Sequence, residues 1–448
     1  MAEFLRRTAR PESQFTPPRP AAPAVSKGPQ IDLILGIDFG TSCTKVVIGD
    51  PGWRDQAFPV PFGEPLSDLR SWLHATKLGT EANLKMRLMD DPASPIVRDL
   101  AARYLATVIR HAKSWFEQHA PAEYKRGQWS WSLNLGFPEK SVRDGDPVTD
   151  AYRAVAHAAL QMIPSMPGAE VATESAAVGL NINSFIPASR VHLYPEIAAQ
   201  LAGYIRSPYR QFGNLLLVDV GAGTLDVSTL IIHPAGDEDV VSFHLCDVKP
   251  LGVLRLYQAR ADALNGIRGS RTARSLEAFQ DGCTAIPDTT GEMLDPSLGL
   301  PTPTLKRAFD QATEDFADKV LGTVLPCLTR FRALQRKAHD NTGFDPWPRH
   351  LRFFLTGGGG RADFYREQLL KGPLENQLVR FTRWHPDPAQ RRANGQGLRL
   401  ESMPPPRNLV GFPASLTEHF DRLSVAYGLA QGAENLMRLT SAEEAATS

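Results

Sequence analysis

Twice in this chain an aspartate closes an apolar run and is followed at once by a glycine-containing bend. Asp38 does so in LGIDFGTSCTKVVIGD (35–50), and Asp219 in LLLVDVGAGTLDVSTL (215–230). That order of residue types suits one kind of chemistry. A turn of bare main-chain amides cradles phosphate oxygens, and a neighbouring carboxylate faces the metal ion that neutralises them. Each apolar run reads as a buried strand, and Gly221 and Gly223 are expected to turn the backbone where φ must be positive. The two segments align without a gap, Asp38 on Asp219, Gly40 on Gly221 and Val46 on Val227. One glycine bend is a common β-turn. Two copies about a domain's length apart predict a duplicated fold with a nucleotide between its halves.

The elements that position these bends follow from hydrophobic periodicity. Residues 97–118 carry apolar side chains at helical spacing, from Val97 and Leu100 to Val108 and Ile109. WSWSLNLGFP (129–138) alternates as a strand does, and Trp115, Trp129 and Trp131 read as core residues. A helix follows over 150–163 with Asp150 as its cap. Val191–Tyr194 is a short strand running through Pro195 and Glu196 into the helix IAAQLAGYI. Further on, 240–250 reads as a strand, 253–265 and 304–338 as helices, 352–355 as a strand feeding a glycine run, 363–371 as a helix, and 421–438 as the last helix. Residues 375–411 read as an irregular insertion. It is rich in arginine (Arg380, Arg383, Arg391, Arg392, Arg399) and offers Trp384 as an apolar anchor for a protein partner. Residues 1–30 are Pro- and Arg-rich and read as a disordered tail, or as a basic arm using Arg6, Arg7, Arg10 and Arg19.

Composition narrows the function classes. The 448 residues hold 42% hydrophobic and 22% charged side chains, as an ordinary globular protein does. Lys+Arg and Asp+Glu are both 49, so no net field recruits nucleic acid or a membrane surface. The four cysteines are far apart, which argues against a disulfide framework or zinc site and suits a reducing cytoplasm. No apolar run approaches the roughly 20 residues a membrane helix needs. There is no G-x-x-x-x-G-K-[ST], G-x-S-x-G or HExxH, and the eleven histidines show no ligand spacing.

Five stretches stand in a fixed order: Asp38-Phe39-Gly40-Thr41-Ser42; Tyr194-Pro195-Glu196-Ile197-Ala198-Ala199; Asp219 to Asp226; Thr356-Gly357-Gly358-Gly359-Gly360-Arg361; and Val425-Ala426-Tyr427-Gly428-Leu429-Ala430. In that order and spacing the chain resembles the actin-like ATPase superfamily, and within it the nucleotide-binding domain of the seventy-kilodalton heat-shock (DnaK-type) chaperones. Cys246-Asp247-Val248-Lys249-Pro250-Leu251-Gly252 resembles the segment after their second phosphate hairpin. The resemblance spans about residues 31–438 and implies an α/β fold of two duplicated lobes, each a mixed sheet flanked by helices. They would run over 31–210 and 211–438, with small subdomains at 51–96 and 253–345, and the nucleotide in the cleft between them.

The resemblance also implies roles. Amides at Gly40, Thr41 and Ser42 and at Gly221, Ala222, Gly223 and Thr224 would hold the phosphates of ATP or ADP. Asp38 and Asp219 would hold hydrated Mg²⁺, Glu196 would position or deprotonate the attacking water, Gly357, Gly358 and Gly359 would admit the nucleoside, and Arg361 would stack on adenine. Ala222 departs from the glycine usual in those chaperones. For their catalytic lysine, Lys85 in NLKMRL is the candidate, Lys77 the rival, and a solvated helix lysine the bland reading. Their adenine-contacting helix in the second lobe has no match, and no peptide-binding β-sandwich region follows residue 438. The expectation is therefore a cytoplasmic, slow, Mg²⁺-dependent ATPase that signals nucleotide state to a separate protein. A scaffold that binds ATP with little hydrolysis and a small-molecule kinase of the same superfold are the alternatives.

Overall fold

The computed structural model describes residues 28–138, 145–163, 186–205, 207, 209–235, 238–268, 272–279, 283–338, 349–432 and 438–440. The expected N-terminal tail, with its arginines, lies almost wholly outside the described residues, as does most of the C-terminal tail (439–448). The chain forms two compact units, Met1–Pro208 with Pro404–Met437, and Tyr209–Met403 with the residues from Arg438.

The first unit begins with strand β1 (Gln30–Asp38), which pairs antiparallel with β2 (Cys43–Gly49). The short strands β3 (Ala57–Pro59) and β4 (His74–Ala75) both pair with β2, and β5 (Lys77–Leu78) and β6 (Glu81–Ala82) form a small separate ladder. Helices α1 (Leu84–Asp90), α2 (Pro95–His119) and α3 (Ala122–Lys125) carry the chain over to β7 (Gln128–Phe137), parallel to β1. A parallel return needs such a crossover. Helix α2 starts where Ser94 caps the Val97 amide and Pro95 supplies a pre-set φ. Helix α4 (Pro147–Met162) is capped by Asp146, which accepts from Thr149 N at 2.8 Å. The expected cap, Asp150, lies inside its first turn instead. Strand β8 (Val191–Pro195) pairs parallel with β7 and runs directly into α5 (Glu196–Ile205).

The second unit repeats this plan. Strand β9 (Gly213–Val220) pairs antiparallel with β10 (Leu225–Ala235), which pairs antiparallel with β11 (Glu238–Lys249). Helices α6 (Val253–Arg268), α7 (Thr290–Met293) and α8 (Pro303–Ala338) lead to β12 (His350–Thr356), parallel to β9. After α9 (Asp363–Leu370), α10 (Pro373–Leu378) and α11 (Pro388–Ala393), β13 (Gly397–Glu401) pairs parallel with β12. The first sheet has the order β3-β2-β1-β7-β8; the second contains β11-β10-β9-β12-β13, matching it strand for strand in order and direction. Two mixed sheets of one topology, each with helical crossovers, make this an α/β protein built on a repeat.

Two expectations are corrected. Residues 375–411 are not a loop throughout: α10, α11 and the edge strand β13 fold there. Trp384, only 3% exposed, packs into the second unit's core, so it offers a partner no anchor. Arg391 is also buried, donating to the carbonyls of His385 and Pro386 and to Asn376 Oδ1. The second correction concerns the C-terminal helix, expected over 421–438 in the second half. Over the described residues it is α12 (Ser424–Leu429), which belongs to the first unit; residues 433–437 of that expectation lie outside the described residues. A short strand, β14 (Arg438–Thr440), then pairs with β11 in the second.

The physical reason for α12's place is close approach. A Cβ on Gly428 would collide with the Ala199 carbonyl of α5, and one on Gly36 in β1 would lie 2.5 Å from Ala426 O and Ala430 N. The small residues on these two helices meet face to face within one unit. Asn134 of β7 donates to Leu429 O at 2.7 Å, satisfying a carbonyl that the helix end leaves over.

Candidate active site

In the first unit the bend after β1 holds most of the expected residues. Asp38 ends β1, 5% exposed, and its register partner on β2 is Lys45. Residues directly opposite in an antiparallel pair share a face, and the Lys45 ammonium lies 2.9 Å from Asp38 Oδ2. Gly40 is needed where it stands: a Cβ there would collide with Cys43 O and lie 3.2 Å from Lys45 Nζ. Its N–H, expected to face phosphate, donates to Asp38 O at 3.0 Å. Among the described residues no main-chain bond outside the strands takes the amides of Thr41 and Ser42. Thr76 braces the bend from behind, with Oγ1 donating to Gly40 O and its N–H to Ser42 O, both at 2.8 Å.

Beside this bend sits an ion pair. Lys85, on α1, reaches Glu196 Oε1 at 2.7 Å and Oε2 at 2.8 Å. Burial on its own would lower the Lys85 pKa. The Glu196 carboxylate, with Asp38 behind it, outweighs it, so the pKa is raised and the side chain stays an ammonium. Glu196 is the first residue of α5, where a carboxylate is favoured by the helix N-terminus. Room for it comes from Gly136 on β7, where a Cβ would lie 3.0 Å from Glu196 Cγ. The rival, Lys77, is exposed on β5. The candidate lysine is thus the one that lies against the candidate glutamate.

The Thr76 brace connects to further polar groups. Thr44 and Thr76 hydroxyls are 3.1 Å apart, and Tyr104 OH lies 3.0 Å from His74 Nδ1. Burial raises the Tyr104 pKa and lowers that of His74, so both stay neutral at physiological pH.

In the second unit Asp219 is half-buried near the end of β9, and its register partner on β10 is Asp226. Gly221 N donates to Thr224 O at 2.9 Å, closing the turn. Neither Gly221 nor Gly223 takes a positive φ, contrary to expectation. The turn's carbonyls are consumed by the start of α6: Gly252 N bonds Gly223 O, Val253 N bonds Gly221 O and Leu254 N bonds Ala222 O, at 2.9–3.2 Å. Among the described residues no such bond takes the amides of Ala222, Gly223 and Thr224. The turn therefore gives its carbonyls to the protein and keeps amides to offer.

The glycine run after β12 packs closely on the end of β9. Gly357 has φ +75°, and a Cβ there would collide with Asp219 Oδ1 and lie 2.5 Å from Val220 O. A Cβ on Gly359 would lie 2.6 Å from Val220 and Val253 side chains. These two glycines let the loop close on the end of β9. Gly358 and the exposed Arg361 belong to the short 3₁₀ turn that follows.

Asp38 and Asp219 are hard oxygen donors at strand ends, which fits Mg²⁺, an ion that keeps most of its waters and takes few carboxylates. Among the described residues no group of three or more His, Cys, Asp or Glu gathers into a caged metal site, and no helix is long and apolar enough to cross a membrane. Sequence reading had missed Lys45, Thr76 and Gly136. Lys45 was findable, since it stands in the first hairpin where the ungapped alignment puts Asp226 in the second. Comparison with protein-family models and with curated proteins found no match.

Proposed function

We propose that the chain is a nucleotide-binding protein of the actin-like, heat-shock-chaperone kind, taking ATP and Mg²⁺ and hydrolysing ATP slowly. In this reading the hairpin of each unit supplies phosphate contacts, through Thr41 and Ser42 in one and Ala222, Gly223 and Thr224 in the other. Asp38 and Asp219 face the hydrated metal, which when bound neutralises phosphate charge. The observation that carries the reading is the recurrence of one strand–bend–strand, with its strand-end aspartate, at the same place in two sheets of one topology. Phosphoryl transfer asks a protein mainly for positioning and charge neutralisation, and these parts supply both.

Glu196 orients the attacking water. Both its oxygens are held by Lys85, and a carboxylate stabilised as the anion is a weak base. The same pair that fixes its direction thereby keeps turnover low. This observation also favours a second reading, an ATP-binding scaffold with little hydrolysis. In either case the nucleotide state is the signal read by a partner protein. Gly357 to Gly359 and Arg361 would flank the nucleoside.

The test is release of γ-phosphate by the purified chain, compared with Glu196→Ala. Under the ATPase reading, the variant loses at least about 90% of the turnover, in keeping with the size of such catalytic terms, while its nucleotide-induced thermal shift persists. Turnover unchanged by the substitution leaves the scaffold reading. Absence of any nucleotide effect on the wild type removes both.

A further inference from the structure

A bend that holds phosphate must keep its amides pointing outward, and the two bends of this chain do so by different means. In a trans peptide the carbonyl and the following N–H point in opposite directions, so whatever holds the carbonyl aims the amide. In the second unit the main-chain N–H groups of Val253, Leu254 and Gly252 hold the carbonyls of Gly221, Ala222 and Gly223 at 2.9–3.2 Å. Those carbonyls share peptide planes with the amides of Ala222, Gly223 and Thr224. The first bend uses a side chain instead. Gly40 O, whose peptide plane carries the Thr41 amide, accepts from the Thr76 hydroxyl at 2.8 Å.

Resting on the nucleotide reading above, we infer that Thr76 is a positioning residue for phosphate: its hydroxyl, held by a buried chain of polar groups, aims the Thr41 amide away from the protein and toward the ligand. Thr76 directly follows β4, whose pairing with β2 (Ala75 opposite Cys43, His74 opposite Thr44) sets it in register behind the bend. The chain of groups has one direction, because a hydroxyl has a single proton to give. That of Thr76 goes to Gly40 O, so in the 3.1 Å contact between Thr44 and Thr76 the donor is Thr44. Tyr104 OH faces both threonines and lies 3.0 Å from His74 Nδ1. The same nitrogen is 3.1 Å from Ala75 O, which can only accept, so His74 carries a proton on Nδ1 and presents it to Tyr104 as well. Thr44, Thr76 and Tyr104 are each 2% exposed or less. At that depth bulk water does not compete for these protons, and each bond orients the next.

The test sets Thr76→Val, which keeps the shape of the side chain and loses the hydroxyl, beside Thr76→Ser, which keeps the hydroxyl. Affinities of the full chain for ATP in excess Mg²⁺ and for adenosine are measured by displacement of a fluorescent ATP analogue. Thr76→Val binds ATP about tenfold more weakly than the wild type and adenosine, which has no phosphate, equally well. Thr76→Ser stays within about threefold of the wild type for both ligands. A residue that only holds the fold together would weaken both ligands alike when replaced by valine. If Thr76→Val does not fold, Thr44→Val decides instead: it removes the donor to Thr76 and lowers ATP affinity by about threefold, with adenosine unaffected. Unchanged ATP affinity in the valine variant, an equal loss for adenosine, or a Thr76→Ser as weak as Thr76→Val overturns the inference while leaving the nucleotide reading intact. A wild-type chain with no saturable ATP binding overturns both.

Discussion

Lys85 and Glu196 are 111 residues apart in sequence, and neither belongs in a core without the other. The Lys85 side chain is 7% exposed and that of Glu196 15%. Removing one partner leaves a desolvated charge, whereas removing both leaves none. Lys85→Met should therefore cost about 3 kcal/mol, and the double variant Lys85→Met/Glu196→Gln should recover part of that loss. Chemical denaturation followed by tryptophan fluorescence measures both. A double variant no more stable than the single one would show that the two charges are not coupled. From the sequence Lys85 was one of two candidate lysines with a bland alternative beside them. No local signal separates a paired lysine on a helix from a solvated one, because its partner lies across the fold. The aspartates were legible for the opposite reason: strand, carboxylate and bend are consecutive residues, so the chemistry is written locally.

At the scale of elements, the packing of α12 on α5 and β1 depends on the absence of side chains. Gly428 rests directly on the Ala199 main chain, and Gly36 on α12 itself. Backbone does not give way as a side-chain tip does, so Gly428→Ala should destabilise by about 3 kcal/mol, at the upper end of overpacking effects. A melting point lowered by several degrees, roughly 2–4 °C per kcal/mol for a unit of this size, would bear this out; an unchanged one would mean that the helices separate at little cost. The small residues of VAYGLA and EIAAQLAG are visible in the sequence. Which unit their crossing joins is not, since that depends on where the chain returns after residue 403. The stretch 375–411 was misread because its helices are short, six residues each for α10 and α11, below the length at which periodicity can be recognised. Helix α2, of 25 residues, was read to within two residues at either end.

For the whole molecule, equal totals of acidic and basic residues conceal an unequal distribution between two copies of one motif. The first unit pairs its strand-end carboxylate with an ammonium and holds a second ammonium, Lys85, close enough for Asp38 to favour its charge. The second unit opposes two carboxylates. The proposed function takes a magnesium-bound polyphosphate as ligand, with oxyanions that would meet ammonium and amide groups and a cation that would meet carboxylates. Calorimetric titration of the full chain with ATP in excess Mg²⁺, set beside the same titration of Asp219→Asn, tests that match most directly. The account predicts saturable binding by the wild type and at least about tenfold weaker binding by the variant. No saturable heat, or equal affinity in the two proteins, would contradict it.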